Sequence, residues 1–140
     1  MGRMSREKGA RGEREAAHFW QPVFPECRRR CCGEESQGSQ GRDLAETPGY
    51  CVQVKHMARP DEFRALHEAI AASRDGEIPL AHCRRVLPGN GRTICAATVT
   101  LRATDARLLI AVFERFRLAF PSRIPEIRGE LEAATKQVDE

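Results

Sequence analysis

No apolar run in this chain approaches the roughly 20 residues that a membrane-spanning helix needs. The opening residues MGRMSREKGARGERE are charged throughout, which excludes the apolar centre of a secretory signal. Gly2 invites a myristoylation reading, but Arg6 stands where that motif wants Ser or Thr. The expected location is the cytoplasm, that of a bacterial host if a phage encodes the chain. Paired C-x-x-C knuckles are also missing, although there are six cysteines. Ordinary zinc spacing is therefore absent, and in a reducing compartment the cysteines read as free thiols rather than disulfides. Charge of one sign is not dominant either, since the net charge is only +3.

What is present is the composition of one globular domain. The 140 residues, 41% hydrophobic and 31% charged, suffice for one core and are short for two. The expected domain covers residues 1–120, and 121–140 form a tail that is a short helix or frays. Basic residues gather at the front, in Arg3, Arg6, Lys8, Arg11, Arg14 and the run Arg28, Arg29, Arg30, while Glu126 to Glu140 leans acidic. A basic front on a near-neutral whole suggests one surface that faces a polyanion.

Local signals predict the order αβββαββα. Ser5 can cap a first helix that stops before Pro22. Gly9 and Gly12 weaken it by about 1 kcal/mol each, and suggest a close approach to its backbone. A short strand lies within Val23–Cys32, then Gly33 to Gly41 reads as a polar loop. Strands near Arg42–Ala45 and Tyr50–His56 flank Thr47-Pro48-Gly49, a type II turn signal, and are expected to form a hairpin. Pro60-Asp61 opens a helix to about Ser73. Pro79–Leu87 and Thr93–Leu101 read as strands around the turn Pro88-Gly89-Asn90-Gly91. Thr104 is expected to cap a last long helix burying Leu108, Leu109, Val112, Phe113 and Phe116. The fold class is α/β, with a central mixed sheet flanked by helices.

The stretch Gly41 to Lys55, GRDLAETPGYCVQVK, is the most informative. Alternation turns Tyr50, Val52 and Val54 to a core and Cys51, Gln53 and Lys55 to the other face. Asp43, the Gln53 side-chain oxygen and the Val54 carbonyl form an oxygen donor set of the kind Mg²⁺ (or Mn²⁺) takes, leaving positions open for water. Lys55 shares the face of Gln53, where it can orient a water or offset charge in a phosphodiester transition state. Glu13 or Glu15 can complete the shell, but two residues apart on a helix only one points inward. The bland readings compete: an Asp before a hairpin is commonly a turn residue, and a strand Lys is commonly an edge guard. His56, His67 and Glu68 are read as packed or solvated, and Phe19 and Trp20 as helix anchors.

The segment Lys8-Gly9-Ala10-Arg11-Gly12-Glu13-Arg14-Glu15 resembles the opening helix of archaeal-type Holliday-junction resolvases. The order that follows is also similar: an arginine of the Arg28–Arg30 run, Ser36 or Ser39, Asp43, then Gln53-Val54-Lys55. The later part, with His82-Cys83-Arg84-Arg85-Val86 after a helix, resembles small phage and prophage nucleases of the PD-(D/E)xK superfamily. The resemblance covers roughly residues 5–116 and lies in the order of short motifs. It implies a restriction-endonuclease-like core with Glu13, Asp43, Gln53 and Lys55 as the catalytic set. It further implies DNA contacts from Arg11, Arg14, Arg28, Arg29, Arg30, Ser39 and Arg84. Gln53 departs from the usual Glu, and Glu46 is the acid expected to move in to compensate.

The expected function is a Mg-dependent DNA endonuclease acting on branched DNA such as a four-way junction. Two symmetric cuts imply a homodimer. The alternative is a non-catalytic DNA-binding module on a degenerate nuclease scaffold.

Overall fold

The computed structural model describes residues 3–30, 42–85 and 97–139. Along the chain run α1 (Arg3–Trp20), β1 (Arg28–Arg29), β2 (Leu44–Ala45), β3 (Tyr50–Met57), α2 (Glu62–Ala72), β4 (Ile78–Arg85), β5 (Thr98–Thr100), α3 (Ala103–Ala119) and α4 (Arg123–Asp139). The protein is of mixed α/β class. Strands β3, β4 and β5 form one sheet in that order, with β3 and β4 parallel and β4 and β5 antiparallel. No helix among the described residues is long and apolar enough to cross a membrane.

Parallel neighbours need a crossover connection, and α2 supplies it. The Asp61 carboxylate accepts the Arg64 N–H at 2.9 Å and caps the first turn. Ala65, Leu66 and Ala69 are the buried residues of this helix, and Ala65 and Leu66 pack on Ala81 and Cys83 of β4. The opposite sheet face carries Val52, Val54 and Leu80, closed by Ala16 and Ala17 of α1, Cys27 and Leu44. Each valine or leucine of this cluster contributes about 1.5–3 kcal/mol through burial. The alternation expected along β3 therefore holds. Its Gln53 face is not open, however: Cys51 and Gln53 are buried, on the side of the sheet that α2 covers.

The turn before β3 follows its chemistry. Pro48 precedes Gly49 at φ 83°, and the Tyr50 N–H donates to the Thr47 carbonyl at 3.0 Å, as a type II turn requires. The expected β2–β3 hairpin is replaced by another pairing. β2 ladders with β1, Arg29 opposite Leu44 and Arg28 opposite Ala45. Asp43 bridges the ribbon to β3, its N–H donating to the Val52 carbonyl at 3.0 Å. Arg42 and Glu77 form a largely buried ion pair that ties this entry segment to the start of β4.

Two expectations on the C-terminal part are corrected. Arg102, not Thr104, precedes α3 as its N-cap, and no side chain caps that end. Leu108, Val112, Phe113 and Phe116 are exposed, and Asp105 is the one residue of α3 that is buried. The helical spacing identified the apolar face, but no other element among the described residues covers it. The tail is a 17-residue helix, α4. The Pro88–Gly91 turn, the loop at 33–41 with Ser36 and Ser39, and Cys31, Cys32 and Cys95 lie outside the described residues. Cys27, Cys51 and Cys83 are free and buried, and burial pushes the Cys27 and Cys83 thiols up to about 11.

Candidate active site

Asp43 lies along the outer edge of β3. Its Oδ2 accepts the Val54 N–H at 2.7 Å. The N–H and C=O of one strand residue point the same way, so the Val54 carbonyl faces the edge that Asp43 occupies. Burial pushes the Asp43 carboxyl up to about 6 against the pull of the Val54 N–H. Glu13 and Glu68 push it further in the same direction, and Lys55 opposes them. Acidic groups from α1, β3's edge and α2 thus share one field.

Gln53 and Lys55 meet Glu68 of α2. Lys55 Nζ lies 2.7 Å from Glu68 Oε2, and the Gln53 amide nitrogen donates to the same oxygen at 3.3 Å. The other oxygen, Oε1, accepts from Arg64 Nε at 3.2 Å. The hydrogen bond from Lys55 is the main cause holding the Glu68 carboxyl below its ordinary value, while partial burial opposes it. Glu68, read from the sequence as solvated, is therefore part of the site. Glu46, the expected compensating acid, sits 3.9 Å from Arg28, with its side chain 58% exposed. A left-handed backbone at Glu46, φ 59°, belongs to the turn rather than to the site.

The Gln53 amide is constrained by this contact. A carboxylate only accepts, so the amide nitrogen must face Glu68 and the amide oxygen must face away. That oxygen is buried and has no hydrogen-bond partner among the described residues. An unsatisfied buried acceptor costs about 1–3 kcal/mol, so the position favours a ligand that binds oxygen.

On α1, Glu13 and Glu15 diverge as expected. The Glu13 carboxylate pairs with Arg29 of β1. Glu15 instead gathers Arg84 at 3.2 Å, His56 Nδ1 at 3.6 Å and Arg11 at 3.7 Å. His56 packs against the backbone of Gly12, where an added Cβ would lie 2.6 Å from the His56 Cβ. Gly12 thus provides the close approach suggested by the helix glycines, whereas Gly9 has open space around it. His56 stacks on His82 at 5.9 Å, and Phe19 and Trp20 enclose His82 edge-on. Burial pulls His82 down to about 4 and lowers His56 as well.

The remaining expected DNA contacts are dispersed. Arg14 is exposed on α1. Arg11 and Arg84 converge on Glu15, Arg29 is held by Glu13, and Arg28 approaches Glu46. The Arg30 backbone N–H donates to the Asp43 carbonyl at 3.0 Å. Ser39 lies outside the described residues.

No three His, Cys, Asp or Glu side chains converge on a common metal position among the described residues. Magnesium does not require that, since it is commonly bound through one or two carboxylates and keeps several waters. Asp43, the unpartnered Gln53 oxygen and the Val54 carbonyl are oxygen donors of the kind such an ion takes, with Glu68 and Glu13 close enough to shift Asp43. Comparison with protein families, curated proteins and solved structures finds no match to the chain.

Proposed function

We propose that the protein is a metal-dependent DNA endonuclease whose second acid, normally carried by the strand at the Gln53 position, comes instead from Glu68. The observation that supports this reading is the meeting of Glu68 with both Gln53 and Lys55, beside Asp43. An acid beside an amide and a lysine on one strand face restores the charge that Gln53 lacks. The PD-(D/E)xK resemblance of the Glu13, Asp43 and Gln53-Val54-Lys55 order supports the same class.

In this reading Asp43, Gln53 Oε1 and the Val54 carbonyl would hold Mg²⁺ or Mn²⁺, with Glu13 and Glu68 completing the charge. When bound, such an ion polarises the scissile phosphate and acidifies a coordinated water. Lys55, anchored by Glu68, orients the attacking water and offsets charge on the pentacovalent phosphorus. Glu13 keeps Arg29 beside the acids, where its guanidinium can meet a phosphate oxygen. Arg14 adds phosphate contacts from α1. Branched DNA, a four-way junction in particular, is the proposed substrate.

The test is cleavage of labelled junction, flap, single-stranded and duplex DNA with Mg²⁺ or Mn²⁺. Cleavage lost in Asp43→Asn, Glu68→Gln and Lys55→Ala supports the reading. A wild-type protein that cuts none of these and binds neither ion overturns it. The second reading, a binding module without catalysis, draws on Gln53 and on the lack of three converging metal ligands among the described residues. It predicts salt-dependent DNA binding that needs no metal.

A further inference from the structure

Asp43 is flanked by two acid–arginine pairs, one from each face of the sheet. Glu13 of α1 and Glu68 of α2 both push the Asp43 carboxyl up. Glu13 pairs with Arg29. Glu68 Oε1 accepts from Arg64 Nε at 3.2 Å, while its Oε2 meets Lys55 and Gln53. Arg64 is absent from the DNA contacts that the resemblance implies. It nevertheless holds the place on the α2 side that Arg29 holds on the α1 side.

Helix energetics do not account for Arg64. It is the third residue of α2, with Asp61 as the N-cap. A cation in the first turn opposes the helix dipole, and acids favour this end by about 0.3–1 kcal/mol. Glu or Gln at the same position could reach back to the cap in a capping box. The pair with Glu68 runs in the weaker direction, base before acid at i, i+4. With the Arg64 side chain 77% exposed, such a pair adds little stability. Proteins break local rules of this kind at functional sites.

What Arg64 offers is a fork of donors. Its Nε is spent on Glu68, and neither terminal nitrogen meets an acceptor among the described residues. The neighbouring acids are engaged elsewhere. Glu62 accepts from Thr98 Oγ1 at 2.6 Å, and Asp61 accepts the Arg64 backbone N–H. The outer edge of a guanidinium matches a phosphate in bidentate geometry, and Glu68 fixes the direction in which this edge faces.

We propose that Arg64 grips the phosphate that flanks the scissile one on the α2 side. The cut strand then crosses the outer edge of β3, from Arg29 on one side to Arg64 on the other. This inference rests on the nuclease reading and adds to it the path of the strand.

The test is binding of a labelled four-way junction across a salt series, with Ca²⁺ in place of Mg²⁺. Arg64→Gln is expected to reduce the salt slope by about one phosphate contact and affinity by about fivefold at about 0.15 M salt. A role confined to holding Glu68 would leave that slope at the wild-type value. Arg107→Gln, the same charge change on exposed α3, is expected to keep the wild-type slope. Junctions carrying single neutral methylphosphonates then locate the contact. One position beside the scissile phosphate weakens wild-type binding and has no further effect on Arg64→Gln, as a direct pair gives in a double-mutant cycle. Three results overturn the proposal and leave the nuclease reading standing: a wild-type slope in Arg64→Gln, an equal drop in Arg107→Gln, or wild-type sensitivity of Arg64→Gln at every methylphosphonate. Wild-type protein that binds no junction overturns the proposal and the junction reading with it.

Discussion

Gly12 and His56 occupy the same notch between α1 and β3: a Cβ at position 12 would stand 2.6 Å from both Cβ and Cγ of His56. The Cβ of His56 is fixed to the backbone, so swinging the ring away cannot relieve the clash. Helix α1 therefore sits at this distance from β3 only because residue 12 has no side chain. Glu13, the next residue, inherits its place beside Asp43 from that contact.

Gly12→Ala tests the consequence. Overpacking costs about 1–3 kcal/mol, and the gain in helix propensity returns about 1 kcal/mol of it. A net loss of up to about 2 kcal/mol in urea denaturation is expected. Cleavage should fall by more than the folded fraction does, since Glu13 moves with the helix. Gly9→Ala, which meets nothing within 4 Å, should stabilise slightly and leave cleavage unchanged.

The acids near Gln53 separate cleanly by mutation. Glu68→Gln should lower cleavage by about 10²–10³-fold, the range for removing one preorganised electrostatic group, and weaken Mn²⁺ binding in calorimetry. Glu46→Gln should change neither. Lys55→Ala should abolish cleavage while DNA affinity falls by less than tenfold. Full activity in Glu68→Gln alongside a dead Glu46→Gln would reverse the assignment.

Stability should respond to pH through two opposing groups. The folded Asp43 carboxyl is raised to about 6 from an ordinary 3.8, so the folded state binds its proton more tightly. Stability from this group is present at low pH and lost as pH rises from about 4 to 6. The shift is worth on the order of 3 kcal/mol. Folded His82 is lowered to about 4 from 6.5, so its contribution runs the other way, with stability lost as pH falls from about 6.5 to 4. Without metal, Asp43→Asn should be more stable than wild type at pH 7 and should show steeper loss on acidification. His82→Gln should flatten the acid limb. Urea midpoints at pH 4.5, 5.5 and 7 distinguish the two slopes.

The arginines should divide by their present partners. Arg14→Ala should reduce the salt dependence of DNA binding by about one phosphate contact and spare the rate of cleavage by bound enzyme. Arg29→Ala should also lower that rate, because Arg29 holds Glu13. Binding titrations across a salt series, paired with single-turnover rates, measure both effects.

Much of this arrangement is legible in the residues. The alternation of Tyr50 to Lys55 correctly assigns the faces of β3, because side-chain period and strand pleat are locked together. Pro48-Gly49 likewise announces the turn. Glu68 is not legible in the same way, since nothing in the period of α2 says which strand residues lie under its flank. The right-handed rule for a strand–helix–strand crossover is the signal that bears on it: once β3 and β4 are taken as parallel, α2 must lie over one sheet face, here that of Gln53. The exposed stripe of α3 illustrates the opposite limit. Spacing at Leu108, Val112 and Phe116 shows that a face must be covered, but not whether the cover comes from the same chain.

Glu68 reaching the amide of Gln53 from a neighbouring helix has a genetic consequence. If the site needs one negative charge in that small volume, two codons can encode it. A strain made defective by Glu68→Gln should yield second-site revertants at position 53, and Gln53→Glu should be among them. The ancestry of such a site is then written in pairs of positions, and loss of an acid from the strand need not mean loss of the reaction.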